Sequence, residues 1–214
     1  MFLTLEDPRA QVQGSRDPLG VQPVWSAFGR HVVTNLTTVT TSVRGFTILL
    51  LGRYYAERLI EEGRAKEEEA LSIFLRMEQI GAYARHVGHE VESDIRGIER
   101  VRKFLAEHGA RVPVRDDSKG MILSDQKTYG LWGLYSVSAR VSGLIEDGPV
   151  GVTDEAKGFI EREYVPHLRR VEDQLLRLLL KGGTLDTSAR NPLFVTRRSQ
   201  VMGVHGRPNP RLVR

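Results

Sequence analysis

The sequence contains no cysteine, which excludes disulfide bonds and thiolate metal sites. Long apolar runs are also missing. The longest, "FTILLL" at residues 46–51, is far shorter than the ~20 residues that a membrane-spanning helix needs. The first residues, "MFLTLEDPRAQVQG", lack a basic segment followed by an apolar one, so no secretory signal is expected. We therefore expect a soluble, cytoplasmic protein that has no membrane partner.

The motifs of common catalytic sites are absent as well. There is no Gly-x-x-x-x-Gly-Lys-Ser/Thr loop for nucleotide phosphates and no nucleophile elbow, although sequence order alone does not rule out a Ser/His/Asp arrangement. Asp116 and Asp117 lie close to Lys119, as in some nuclease sites, but no strand pattern brings a further acid to them. A polar linker explains all three residues. The sequence predicts a non-enzymatic protein with no catalytic residue and no cofactor.

One group of residues is a candidate for binding a metal ion. His86, His89 and Glu90 lie in "HVGHE" at the end of a predicted helix, with the two histidines about one turn apart. A zinc site needs further ligands. Histidines near a helix C-terminus are favoured there in their protonated form by the helix dipole. We interpret the pair as solvent-exposed and predict no metal site.

Basic charge is concentrated near the C-terminus. The formal net charge is +4, yet residues 182–214 contain six arginines and one acid, and the rest of the chain carries −1. A basic arm on a nearly neutral body indicates an anionic partner, above all nucleic acid bound through its phosphates. A second basic group lies between residues 96 and 115. The residues predicted to contact nucleic acid are Arg96, Arg100, Lys103, Arg190, Arg197, Arg198, Arg207 and Arg211. The alternative is a strap that docks on the body or on a neighbouring subunit.

Apolar residues recur mostly at helical spacing, so the sequence predicts a mainly α fold. The predicted helices cover residues 42–62, 64–87, 94–107 and 131–142, a stretch ending at 164, and residues 166–181, with a loop or linker over 110–120. The first of them is apolar on nearly all sides in its first half, which predicts a central, buried helix. We divide the chain into an N-terminal helical domain (1–112), a winged-helix-like module with a long trailing helix (113–181) and an extended basic C-terminal arm (182–214).

The module is suggested by the segment "ARVSGLIEDGPVGVTDEAKGFIE". It resembles winged-helix proteins, in which a recognition helix ends in a Gly-Leu-Ile-like step, a hairpin follows, and the next helix begins at a threonine-containing corner. The resemblance implies that Leu144 and Ile145 pair with Val152, and that Thr153 or Asp154 caps the next helix. We expect a helix end, a two-stranded hairpin and a helix start.

The resemblance covers residues 131–164 and departs from a DNA-reading domain in two respects. The turn of the wing is short and acidic, and phosphate repels acidic groups. The helix in the recognition position, "LWGLYSVSARVS", carries a single base, Arg140. Use of the module as a protein-binding scaffold is therefore favoured over reading of a DNA groove.

A threonine-rich segment, "NLTTVTTSVRGFTILL", precedes and enters the first long helix. It resembles a helix entry of uncharacterised proteins from bacterial antiphage defence islands. The resemblance implies a component of a multi-gene defence system, with Asn35, Thr37, Thr40 and Arg44 as its characteristic residues. The alternative is that the threonines cap a buried helix. Arg44 then serves as an internal anchor that pairs with a buried acceptor.

These expectations lead to two functions from different classes. The first is a non-enzymatic accessory subunit of a larger prokaryotic assembly, such as an antiphage defence system, that contacts DNA or RNA through arginine–phosphate pairs. The second is a protein–protein scaffold whose apolar seam and basic arm bind partner subunits without touching nucleic acid. The residues of this seam are Leu168, Val171, Leu175 and Leu178.

Overall fold

The computed structural model describes residues 43–88, 96–148, 150–188, 191 and 193, which are mainly helical. The helices are α1 (Val43–Glu61), α2 (Ala70–Gly88), α3 (Ile98–His108), α4 (Gln126–Tyr129), α5 (Leu131–Val141), α6 (Asp154–Glu163), α7 (Val165–Leu168) and α8 (Glu172–Lys181). A 3-10 turn, Glu67–Glu69, precedes α2. Two strands, β1 (Arg111–Val114) and β2 (Gly183–Asp186), pair antiparallel. The prediction of a mainly α fold is confirmed.

The core forms around α1 and α2, which pack closely against each other. A Cβ atom at Gly52 would lie 2.7 Å from the Phe74 ring, and one at Gly81 would lie 2.6 Å from the Ile48 side chain. Glycine at these two positions therefore allows the helices to approach. Fully buried side chains of α1 include Leu49, Leu51, Tyr55 and Leu59. Each large apolar side chain buried in this way contributes about 1.5–3 kcal/mol. The prediction that this helix is central and buried is confirmed.

Residues 110–120, predicted as a loop or linker, contain strand β1, and the predicted arm begins with strand β2. Arg111 lies opposite Asp186 in the ladder, and Val112 lies opposite Leu185. The Val112 and Leu185 side chains are both fully buried. Four residues are at the lower limit of an alternating signal, and the two strands lie far apart along the chain. The prediction of a loop or linker over residues 110–120 therefore missed strand β1, and the first residues of the predicted arm form its docked partner strand.

The predicted helix over residues 166–181 is divided in the structure. Helix α7 ends at Leu168 and α8 begins at Glu172, with Val171 in a non-helical conformation between them. Leu168, Val171, Leu175 and Leu178 are all buried within the chain. The apolar spacing continues across the break because both segments turn their apolar side to the same core. The predicted seam is thus part of the interior and does not face a partner.

The segment between α5 and α6 follows the predicted order of helix end, turn and helix start. Gly143 adopts φ 66° just after α5, and a single antiparallel bridge joins Ile145 to Val152. The Thr153 hydroxyl oxygen accepts a hydrogen bond from the Ala156 N–H at 3.4 Å and so caps α6. The order is confirmed, while the expected two-stranded hairpin is reduced to one bridge.

Both predicted domain limits fall at the sheet that β1 and β2 form. Strand β1 spans the predicted limit between residues 112 and 113. Strand β2 begins one residue after the predicted start of the arm at residue 182. The division into a helical domain, a module and an arm stays a prediction, and the residues before 43 and after 193 lie outside the described part.

Candidate functional site

The arginine-rich C-terminal residues follow strand β2, and the residues just after this strand contact the chain close to the end of α3. Beyond the strand, the Thr187 N–H donates to the Ala110 carbonyl at 2.7 Å, and the Asn191 side-chain amide donates to the Asp186 carbonyl. Ala110 lies two residues after the end of α3. The fold therefore brings the start of the basic arm next to the second basic group of the sequence.

The bases on the surface of residues 96–120 define what we term the basic face. Residues 96–120 contain seven bases and four acids. The basic face consists of Arg100, Arg102, Lys103, Arg111, Arg115 and Lys119. Two of its members pair locally on α3: Arg102 with Glu99 at 3.0 Å, and Lys103 with Glu107 at 3.7 Å. Such exposed pairs contribute about 0–1 kcal/mol, so a phosphate group can displace the acid.

Of the residues predicted to contact nucleic acid, three lie in the part of the chain that the structure describes and five lie outside it. Arg100 donates to the Ser118 carbonyl at 3.3 Å, and its guanidinium lies 5.9 Å from the centre of the Phe104 ring. Lys103 is exposed, whereas Arg96 is half-buried at the edge of a small pocket. The structure thus brings Arg100 and Lys103 together on α3 and places Arg96 apart from them. Arg190, Arg197, Arg198, Arg207 and Arg211 lie outside the described residues.

The segment from α5 to α6, residues 131–163, differs from the basic face in charge. It contains six acids and three bases. Its single base on α5, Arg140, pairs with Asp147 of the turn at 2.7 Å. Val137 and Val141 of the same helix are exposed. We term this segment the acidic module. Because its base is paired and its turn is acidic, the helix in the recognition position offers little to a phosphate backbone.

A buried arginine that the sequence interpretation missed holds this module on the core. Arg53 of α1 is only 1% exposed, and it donates from Nη1 to the Gly148 carbonyl at 3.0 Å. Its guanidinium lies 4.6 Å from the centre of the Trp132 ring, within the range of a cation–π contact. Burial, together with the charge of Arg140, lowers the pKa of Arg53 to about 10. The feature of the sequence that could have indicated this buried arginine is its position inside a helix that is apolar on nearly all sides.

Arg44, which the sequence predicts to be the internal anchor of this helix, is half-buried near the start of α1. Its predicted role stays a prediction. Asn35, Thr37 and Thr40 lie outside the described residues.

A second buried charge joins α2 to the start of α5. Glu78 accepts a hydrogen bond from the Leu131 N–H at 2.6 Å and another from the Gln126 side-chain amide at 2.9 Å. Gln126 also binds the Leu75 carbonyl, and Gln79 binds the Arg115 backbone. Burial raises the pKa of Glu78 to about 7, against the opposing effects of the Leu131 and Gln126 hydrogen bonds and of the Arg96 charge.

The pocket beside Glu78 is too small for a substrate. Its volume is about 20 Å³, and its lining includes Arg96, Ala82 and Tyr135. A site of this size accommodates about one water molecule. The arrangement of Glu78 and the two glutamines is therefore best explained as a structural hydrogen-bond network that places the first turn of α5.

The acids and histidines that the sequence offered as candidate catalytic or metal-binding groups form no such site among the described residues. Asp116 pairs with Arg76 at 2.9 Å, and Asp117 pairs with Arg115 at 2.5 Å. Within the described ranges, no cluster of three or more acids and histidines could hold a metal ion. His86 is half-buried near the end of α2, while His89 and Glu90 lie outside the described residues.

None of the described helices is both long enough and apolar enough to cross a membrane.

Comparison with protein-family models, curated proteins and solved structures finds no match for this chain. The resemblances to winged-helix modules and to proteins of defence islands therefore stay predictions from the sequence.

Proposed function

We propose that this chain is a non-enzymatic accessory subunit that binds the phosphate backbone of nucleic acid through its basic face and its C-terminal arginines. In this proposal the arm wraps the backbone, and Arg100 and Lys103 of α3 extend the contact. Membership of a larger prokaryotic assembly, such as a defence system, belongs to the same proposal and rests on the resemblance of the threonine-rich segment.

The observation that carries the proposal is the position of the arm's first residues. Thr187 binds Ala110 at the end of α3, so the two basic groups of the sequence begin from one place in the fold. Two basic groups that each paired with acids of the chain itself would not need to lie next to each other. A continuous anionic polymer, in contrast, can contact both groups when they are adjacent. The paired Arg140 and the acidic turn argue against base reading by α5. Affinity is then expected to come from phosphate contacts with little sequence preference.

The experiment measures fluorescence anisotropy of a labelled duplex and a labelled single strand at several salt concentrations. The full chain is compared with a chain that ends at Leu193. This truncation retains β2 and the contacts of Thr187 and Asn191, and it removes five arginines and no acid, which changes the net charge from +4 to −1. Each phosphate neutralised on a duplex contributes about −0.9 to the slope of log affinity against log salt, so an arm that engages a few phosphates gives a slope of about −3 to −5.

We expect the truncated chain to lose most of this slope. The contribution of α3 is measured in the full chain with Arg100→Gln/Lys103→Gln, which should weaken binding and reduce the slope by up to about 2. The matched control is Arg169→Gln/Arg170→Gln, which removes the same charge from two exposed arginines between α7 and α8. Equal binding by the truncated and full chains would show that the arm is a strap. Absence of binding at every salt concentration would reject the proposal.

A protein–protein scaffold is the second candidate, and the exposure of Val137 and Val141 favours it. These side chains lie on a helix whose other side packs against α1. The apolar seam on α7 and α8, which the sequence predicts to bind a partner, is buried. The exposed side of α5 is therefore the surface proposed for a partner protein. In this case association persists at high salt, because apolar contacts are not screened.

A further inference from the structure

Helix α5 presents a small apolar strip to solvent. Val137 is 57% exposed and Val141 is 66% exposed, whereas Ser138 and Ala139 between them are buried. Residues four apart in a helix lie on the same side, so the two valines are adjacent. We term this pair the valine strip.

Acidic groups lie close to the C-terminal end of the strip. The turn that follows α5 exposes Glu146 and Asp147, and Asp147 is fixed near the helix by its pair with Arg140. The turn is itself held by the Arg53 hydrogen bond to Gly148. The valine strip therefore belongs to a surface with a fixed acidic edge.

We propose that the valine strip and its acidic edge bind the basic face of a second copy of this chain. The basic face offers the matching chemistry, because Arg102 and Lys103 have long alkyl stems that can cover valine side chains. Their charged ends can then reach the carboxylates of Glu146 and Asp147. The net charges of the two surfaces are opposite: residues 96–120 have an excess of three bases, and residues 131–163 have an excess of three acids.

Charge also determines the orientation of the contact. If two valine strips faced each other, their acidic edges would be brought together, which is unfavourable. The contact is therefore head-to-tail, and a pair of copies retains one unused surface of each kind, so that short chains or rings form. A contact built on two valines and a few ion pairs is small. The association is weak and depends on salt. It needs no nucleic acid, although it uses the same basic face as the function proposed above.

The experiment is sedimentation equilibrium of the full chain, freed of nucleic acid, at about 0.05 M and about 0.5 M salt. At low salt the average mass should rise with protein concentration. At high salt it should stay close to the 24.1 kDa of one chain. A monomeric mass under all conditions would overturn the proposal.

Two charge-reversal variants identify the surfaces. Glu146→Lys/Asp147→Lys makes both surfaces basic, and Arg102→Glu/Lys103→Glu makes both acidic. Each variant alone should raise the dissociation constant about tenfold or more, because like charges then meet. An equal mixture of the two should restore association, since each surface again meets one of opposite charge. The mixture also establishes that neither variant has simply failed to fold.

Two further variants complete the test. Glu67→Lys/Glu68→Lys applies the same change of charge to exposed residues before α2, and it should leave association unchanged. Val137→Thr/Val141→Thr keeps the shape of the strip but adds hydroxyl groups, and it should weaken association several-fold. If the threonine variant abolishes association while the charge reversals do not, the contact joins two valine strips and the head-to-tail proposal is wrong. If the control weakens association as much as the reversals do, net charge alone is responsible, which also overturns the proposal.

Discussion

The basic residues 96–120 and the acidic module 131–163 are each held on the core by an arginine, half-buried in the first case and buried in the second, but they are held differently. Arg76 of α2 donates to the Leu179 and Leu180 carbonyls at 2.7 and 2.8 Å and also pairs with Asp116. Arg53 of α1 donates to a single carbonyl, that of Gly148, and lies over Trp132. The first arginine thus satisfies the end of α8 and the loop after β1 together. The second fixes one exposed turn.

This difference indicates how firmly each region is attached. The basic region is tied to α2 through the Asp116 carboxylate and through two hydrogen bonds between the Arg115 backbone and Gln79, in addition to the ladder between β1 and β2. The turn of the acidic module, by contrast, is joined by the single bridge from Ile145 to Val152 and by side-chain contacts such as the 3.2 Å bond from the Val152 N–H to Glu57. We therefore expect the turn of the acidic module to open more readily than the basic region, although the two regions share one core.

The largest expected effect comes from comparing Arg76→Met with Arg53→Met. The first change leaves several acceptors without their donor and should lower the free energy of unfolding by about 3 kcal/mol. The second should cost about 1 kcal/mol, because methionine retains much of the packing on Trp132 and water can reach the exposed Gly148 carbonyl. Urea-induced unfolding at neutral pH measures both. Equal losses in the two variants would mean that the regions are attached equally firmly.

The second prediction concerns pH and the start of the acidic module. The pKa of Glu78 is raised from 4.5 to about 7, so the folded chain holds the proton more tightly than the unfolded chain does. The contribution of this group to stability is then fully present below about pH 4.5, falls as the pH rises and is lost above about pH 7. The total loss corresponds to roughly 3 kcal/mol.

The measurement compares urea unfolding of the parent chain and of Glu78→Gln across this pH range. The stability of the parent should fall relative to the variant as the pH rises, because the glutamine cannot ionise. Glu67→Gln serves as the control for removal of an exposed carboxylate. A constant difference between the parent chain and Glu78→Gln from pH 4.5 to 8 would contradict the prediction.

The parts of the fold that could be predicted are those with a repeating signal. Helices α1, α2 and α5 have apolar residues at helical spacing over three turns or more. The positions of α1 and α5 agree with the predictions, whereas α2 begins at Ala70 and not at residue 64. The turn between α5 and α6 was also accessible, because Gly143 and Thr153 have local roles that depend on neighbouring residues. Local chemistry and long periodicity are both visible in one sequence.

The missed features depend on distant partners. Strand β1 forms a ladder because β2 pairs with it, and Glu78 matters because Leu131 donates to it from another helix. Arg53 and Arg44 lie on one apolar helix, and the spacing does not indicate which of them is fully buried. Of the predicted site residues, Arg100 and Lys103 share α3 because they lie close in sequence. That the arm starts beside them could not be predicted without the β1–β2 pairing.

The smallest expected effect is at the cap of α6, where the acidic module can be loosened without changing any charge. The Thr153 hydroxyl accepts from the Ala156 N–H and donates to the Gly143 carbonyl at 2.8 Å, so it links the start of α6 to the end of α5. Thr153→Ala removes both bonds and should lower the free energy of unfolding by about 1 kcal/mol. Thr153→Ser retains the hydroxyl, and its unfolding should be close to that of the parent chain.

Thermal unfolding measures the stability, and hydrogen exchange at Ala156 reports on the cap itself. Faster exchange at Ala156 in the alanine variant, with no change along β1, would fit a turn that opens independently of the basic region. If exchange rises equally in both regions, the acidic module does not open independently, and the difference in attachment between the two regions has no consequence for their motion.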